Sequence, residues 1–354
     1  MRAVQSGFVG AILFAALALM CANGSDAAWP GSGRKGSGSA GASYIVASIN
    51  FPSGAVGGVG CASLSSCIAD TRSTTATYVT SAGGVSTAAV NTPRIDCSNA
   101  TCGLLNEGAA TNLALNSANI GGTGWGETGN YGNPTITQNN AVAPDGTTTA
   151  SKMALPQTNS GAPGSSLTYS SPISTSASTN YTVSAFLKGN SGGEKYYEMF
   201  AVNGSPYTIF ANPLVTLTTS FSRYAATGSS SSYTSLNIQF GVNGQTGQPA
   251  STSYLWGLQF EAGSFATSYI PTTSASASRA ADSMSAAGPL ASAMSAGQSY
   301  VDMIEEATGA TSRTLYAAGA FNWPPYKWIT QICAYSPSVG SGYLTAHSTY
   351  GTSC

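Results

Sequence analysis

The chain has 354 residues, 12 Lys and Arg against 13 Asp and Glu, a formal net charge of −1 and a single histidine, His347. Charged residues make up 7% of it, against ~25% in an ordinary soluble domain; with hydrophobic residues at 42%, Ser, Thr, Gly and Asn stand where charge is missing. This excludes a disordered charged tail and, without a Lys/Arg cluster, nucleic-acid binding by phosphate neutralisation.

Arg2, the mostly apolar run Gly7 to Met20 and the small residues Ser25 and Ala27 predict a secretory signal peptide over 1–27, cleaved before Ala28. An uncleaved anchor is disfavoured, because the run is shorter than the ~20 residues a span needs. The expected location is secreted, periplasmic or cell-surface. Cleavage removes Cys21 and leaves Cys61 and Cys67, Cys97 and Cys102, Cys333 and Cys354, three sequence-local pairs. An even count fits disulfides in an oxidising compartment, with the connectivity left open. No CxxC pair or histidine partner accompanies them, which excludes a zinc site.

Residues 28–43 read as a flexible Gly/Ser linker, and 44–111 as an N-terminal β segment carrying two of the cysteine pairs. Within it, Tyr44 to Phe51 predicts a strand ending at Pro52, and Thr74 to Val90 a hairpin around Ser81-Ala82-Gly83-Gly84. Residues 112–272 carry recurring short strands. Tyr181, Val183, Ala185 and Leu187 alternate with Thr182, Ser184, Phe186 and Lys188, as do Leu236, Ile238, Phe240 and Val242 with Asn237, Gln239, Gly241 and Asn243. Tyr254, Trp256, Leu258 and Phe260 are expected on one face of a final strand. Such period-2 text predicts half-buried antiparallel strands, and their number an all-β jelly-roll β-sandwich with a β-rich N-terminal and a short C-terminal extension. Residues 273–297 read as a linker, in which Gly288-Pro289 breaks the helix that Ala280 to Met294 would otherwise allow. Residues 298–354 read as a short C-terminal β segment, with a truncated second sandwich as the alternative, and no fixed-period repeat points to a β-helix.

Several strings carry a resemblance: Thr74-Thr75-Ala76-Thr77-Tyr78-Val79, Asn91-Thr92-Pro93-Arg94-Ile95-Asp96 and Gly103-Leu104-Leu105-Asn106-Glu107-Gly108-Ala109-Ala110-Thr111-Asn112-Leu113. They continue with Ala143-Pro144-Asp145-Gly146-Thr147, Tyr254 to Gly263, Phe265 to Thr272 and Arg279-Ala280-Ala281-Asp282. Over residues 72–282, in order and spacing, this resembles phage head-spike and tail-fibre-type proteins. The resemblance implies a carbohydrate-binding-module-like jelly roll, adhesion to a glycan, and homo-oligomers of the kind fibre proteins form. It also permits a structural calcium ion, with Asp145 and Glu261 as oxygen ligands. The signal peptide, the cysteine pairs and the short stretch after Asp282 depart from the phage pattern and suggest an exported bacterial relative or a shortened prophage product.

No catalytic centre is expected. Glycoside hydrolysis needs two carboxylates across a cleft, and Glu194 with Glu198 or Glu305 with Glu306 read better as edge charges. His347 follows no nucleophile elbow, and no glycine-rich loop is placed to cradle a cofactor phosphate. A polysaccharide is met by flat aromatic faces and by amide and hydroxyl side chains. The candidate ligand contacts are Trp125 and Tyr131 in a Gly-rich segment, Tyr196, Tyr197 and Tyr207 around a strand and turn, and Trp323 and Trp328 near Pro324-Pro325. The same rings could instead fill a sandwich core, as expected outright for Trp256. The reading is a non-catalytic glycan-binding module, with a spacer lacking a ligand site and a polysaccharide hydrolase as alternatives.

Overall fold

The computed structural model describes residues 45–51, 55–57, 61–99, 101–129, 133–157, 165–169, 172–202, 209–211, 214–241, 249–295, 298–305, 308–316 and 327–335. The segments expected as a signal peptide and a linker, 1–27 and 28–43, lie outside them. The described chain is all-β, and its centre is a two-layer antiparallel sandwich of the jelly-roll class. One layer is a five-stranded sheet ordered Thr135–Ala141, Ala150–Leu155, Ser251–Ala262, Asn180–Gly189 and Ser222–Ser229. The facing layer runs Ile209–Ala211, Lys195–Val202, Ser235–Gly241, Ser165–Tyr169 and Trp125–Gly129, with Ile173–Ser174 and Leu214–Thr216 added at its side.

The alternation read from the sequence decides which side chains meet between the layers. Tyr181, Val183, Ala185 and Leu187 from one sheet pack with Leu236, Ile238 and Phe240 from the other in one core. The final strand departs from strict alternation. Ser184 pairs with Gln259 but Phe186 pairs with Trp256, so Gly257 and Leu258 together stand opposite Ala185. This β-bulge turns the strand over by one residue. Leu255, Leu258 and Phe260 enter the inter-sheet core, whereas Trp256 faces the opposite side and packs with Phe186 and Tyr269. Gly257 sits at φ +68°, and a Cβ there would come within 3.0 Å of the Phe186 ring.

Strands within residues 45–57 and 298–335 build a third large sheet. Its order is Ala55–Gly57, Ile45–Asn50, Lys327–Tyr335, Gln298–Glu305 and Thr311–Tyr316, with Gly103–Asn106 also paired to Lys327–Tyr335. The N- and C-terminal β segments expected as separate pieces are therefore one sheet with one core, which includes Ile49, Leu104, Val301, Ile329 and Ile332. The expected linker also proves structured. Ala277–Arg279 pairs with Ala110–Asn112, Met284–Ala286 pairs with Ile68–Asp70, and Gly288–Ser295 is a helix. Gly288-Pro289 opens this helix rather than breaking it, because the first turn needs no N–H at that position. Leu290 and Met294, four apart, bury into the terminal core. Gly288 adopts φ +48°, and a Cβ would lie 2.5 Å from the Ser66 carbonyl oxygen.

A buried chain of charge joins the terminal segments. Arg72 contacts Asp70 at 2.7 Å and Asp282 at 2.6 Å; Arg94 contacts Asp282 at 2.5 Å and Glu107 at 3.0 Å. Arg279 closes it at 3.5 Å from Glu107 and 3.9 Å from Asp282. All six side chains are essentially inaccessible to solvent. Ser268, on the segment leaving the sandwich, donates its N–H and hydroxyl to Glu107 at 2.7 and 2.6 Å, which extends the network to the jelly roll. Asn112 adds four bonds nearby: its amide nitrogen donates to the Leu258 and Ile270 carbonyls, and its oxygen accepts from Ala114 and Phe260.

Burial alone would raise the Glu107 carboxyl, but Arg279, Arg94 and the Ser268 donors overcome it and bring the pKa down to about 2. Its contribution to stability is complete above its unfolded value of about 4.3 and is lost as pH falls toward 2. Asp70 acts in the opposite sense, since burial and the neighbouring Asp282 push its carboxyl up. Arg94→Ala removes one buried cation from two carboxylates, leaving Glu107 with Arg279 at 3.5 Å and Asp282 with Arg72 and the more distant Arg279, and the expected loss at pH 7 is about 3–5 kcal/mol by urea unfolding. The deficit should narrow at pH 3, where these under-compensated carboxylates take up protons; a loss under about 1 kcal/mol at pH 7 contradicts the assignment.

Candidate functional site

The described tryptophans are packed into cores. Trp125 does not sit in an exposed loop: it begins a strand and pairs with Tyr169. Its half-buried ring lies 5.2 Å from Tyr169 edge-on and 6.0 Å from Phe240 in a stack, on the inner face of the sandwich. Of the flanking glycines, read as loop markers, Gly121, Gly122 and Gly124 belong to the turn that precedes the strand, whereas Gly126 and Gly129 are part of the strand itself. Trp328 is 7% exposed, packs with Leu105 and Ile304, and donates its indole N–H to Asp96 at 3.1 Å. Both are thereby removed as ligand platforms. Trp256 is buried as expected, though against Phe186 and Tyr269. Tyr131, Tyr207 and Trp323 lie outside the described residues, as do the side chains of Tyr196 and Tyr197.

The backbone register still places those two tyrosines. Tyr196 stands opposite Val215, which packs toward the inter-sheet core, whereas Tyr197 stands opposite Leu214 and Gly241. Leu214 is 50% exposed, so Tyr197 holds a position on the outer face of the seven-stranded layer. Cross-strand pairing continues that rung from Gly241 to Ser166 and Thr128. The next rung reads Met199, Gln239, Thr168 and Gly126, and the next Ala201 and Asn237. No charged residue occupies these three rungs. Thr168, Gln239 and Asn237 are half-buried, and the Asn237 amide oxygen is itself buried without a hydrogen-bond partner among the described residues. Two glycines leave the backbone bare, as happens where another group approaches a strand closely.

The five-stranded layer offers no such face. Thr182, Ser184, Gln259 and Glu261 on its outer side are buried. Glu261 accepts from Gln259 at 2.6 Å, from the Thr267 N–H at 2.8 Å and from the Thr267 hydroxyl at 2.6 Å. Burial pushes its carboxyl up, against these donors and the nearby Arg223. Its oxygens are therefore spent on the fold. Asp145 is exposed and closes a local turn, accepting from the Thr147 N–H and hydroxyl at 2.9 and 2.7 Å. Among the described residues no group of three or more His, Cys, Asp or Glu is arranged to hold a metal.

Cys61–Cys67 and Cys97–Cys102 are disulfides. Cys333 is also disulfide-bonded, and Cys354 lies outside the described residues. Disulfides of this kind fit an exported protein. No described helix is long and apolar enough to cross a membrane.

No family model and no curated protein matches the chain. Solved structures with a similar fold include the N-terminal cellulose-binding domain of Cellulomonas fimi β-1,4-glucanase C (17% identity, 43% of this chain and 97% of that one, TM-score 0.32). Another is the CBM22-1 xylan-binding domain of Paenibacillus barcinonensis Xyn10C (14% identity, 44% of this chain and 96% of that one, TM-score 0.30). A third is the enzymatically active domain of bacteriophage CBA120 tailspike protein 4 (15% identity, 43% of this chain but 21% of that one, TM-score 0.32).

Trp125→Ala is expected to act on stability, lowering it by roughly 3 kcal/mol in chemical denaturation. Unchanged stability would return this ring to the surface. Glu261→Gln should remove the cost of ionising a buried carboxyl without a direct cationic partner. Because that carboxyl is raised in the folded state, its ionisation disfavours folding as pH rises through its titration. The variant should therefore gain Tm relative to the parent between pH 4 and pH 7; a relative loss over that interval contradicts this.

Proposed function

We propose that the protein is an exported, non-catalytic glycan-binding module that lays a neutral saccharide chain across the outer face of its seven-stranded layer. The observation that carries the reading is the uncharged polar ladder of Thr168, Gln239 and Asn237, with Tyr197 in register beside Leu214. Sugar hydroxyls both donate and accept, so they complement amide and hydroxyl side chains. A flat rung of strands matches an extended chain, and an aromatic position at its side suits the apolar C–H patches of a sugar ring. Support for a non-catalytic role comes from the buried carboxylates: Asp70, Glu107, Asp282, Asp302 and Glu261 are all held by donors of the fold.

A second reading, a spacer without a ligand, is favoured by the packing of Trp125, Trp256 and Trp328 inside the molecule. One titration separates them. The full chain is titrated with cellohexaose and xylohexaose by calorimetry, beside Asn237→Ala/Gln239→Ala. Binding by the parent and a loss of about tenfold or more in the variant, at unchanged Tm, is the expected result. Absence of binding on these probes and on a broad glycan array supports the spacer. Hydrolysis of either probe overturns the non-catalytic assignment.

A further inference from the structure

A crevice of about 220 Å³ opens on the outer side of the five-stranded layer, away from the saccharide face proposed above. Its walls include Tyr78, Phe186, Arg223, Ala225, Phe265 and Tyr269. The volume is below the ~300 Å³ at which pockets for drug-sized ligands begin, so it suits one ring-sized unit.

The hydrogen-bonding balance of the crevice is lopsided. Arg72, Arg94, Arg279 and Arg313 all contact carboxylates. Arg223 contacts none among the described residues: it donates from Nη1 to the Thr267 carbonyl and from Nη2 to the Ser184 hydroxyl at 2.8 Å, and its buried Nε has no partner there. A guanidinium has five donors, so most of this one's capacity is unused. Its group lies 5.7 Å from the Phe186 ring, which holds it in place. Glu261 is within its electrostatic reach but spends its oxygens on Gln259 and Thr267. The other acids at the crevice are saturated. Asp96 accepts from the Val79 N–H, the Ser98 N–H and hydroxyl, and the Trp328 indole. Glu107 is paired with Arg94 and Arg279. Arg223 has donors left over, while the carboxylates of Asp96, Glu107 and Glu261 are already engaged.

We infer that the crevice is a second, separate site that takes a carboxylate-bearing sugar ring of the uronic acid type. Arg223 holds the carboxylate, and the aromatic side chains of Tyr78 and Phe265 contact the ring. A planar carboxylate is the acceptor that a guanidinium fork matches best. The inference does not depend on the outer-face reading.

The test titrates the full chain with glucuronic acid, glucose and acetate, followed by NMR or calorimetry. Glucuronate is expected to bind about tenfold or more tighter than either control, because it alone supplies both the charge and the ring. Arg223→Gln should lose that binding. Because Arg223 also ties Thr267 and Ser184, a second variant is needed. Ala225→Trp fills the crevice from an exposed position and leaves those bonds in place. It should also lose glucuronate. Glucose or acetate binding as tightly as glucuronate, or glucuronate binding unchanged in Ala225→Trp, overturns the inference.

Discussion

The molecule is organised around a small volume of paired charge. In a chain with 25 charged residues, Asp70, Arg72, Arg94, Glu107, Arg279 and Asp282 are packed together out of reach of solvent. Replacing such a group with apolar residues is often no worse for stability, so raw stability does not account for it. Its effect is geometric. Arg72 and Asp282 are separated by 210 residues, and Arg94 and Asp282 by 188; any other docking of these segments leaves a charge unpaired in the interior. The arrangement fixes how the strands before the sandwich meet those after it. Through Ser268 and Asn112 it also fixes where the sandwich begins and ends.

That anchoring explains why the two layers differ. The outer side of the five-stranded sheet is where the chain leans on itself, and its polar residues Gln259, Glu261, Thr182 and Ser184 are used as joinery. The bulge at Gly257 serves the same end by turning Trp256 outward onto Tyr269 and Phe186. The outer rungs of the seven-stranded sheet carry amides and hydroxyls and no charge, which is what a surface for neutral, hydroxyl-rich partners requires.

Much of this was legible in the residues, and the failures have physical causes. Strict alternation located Asn180–Gly189 and Ser235–Gly241, and Gly83-Gly84 marked the turn between Ala76–Val79 and Val85–Ala88. Alternation could not foresee a bulge, so Trp256 was expected beside Leu258. Nor does local periodicity say which strands pair across the length of the chain, so Ile45–Asn50 and Lys327–Tyr335 read as separate extensions. Trp125 was misread because glycines before a strand look like a loop, and Trp328 because neighbouring prolines suggested a surface cluster. The strings that carry the phage-spike resemblance contain Arg94, Glu107, Asn112, Ser268, Arg279 and Asp282. They record the joint of the fold rather than a ligand site. The scarcity of charge was the available clue, since charges kept in a nearly charge-free chain are kept for a reason.

The outer-face account can be tested most directly by hydrogen exchange on the full chain, with and without saturating cellohexaose or xylohexaose. It predicts new protection confined to Lys195–Val202, Ser235–Gly241 and Ser165–Tyr169, the strands that carry the uncharged rungs. Protection that instead falls on the five-stranded layer or the terminal sheet, with those three strands unaffected, would contradict it.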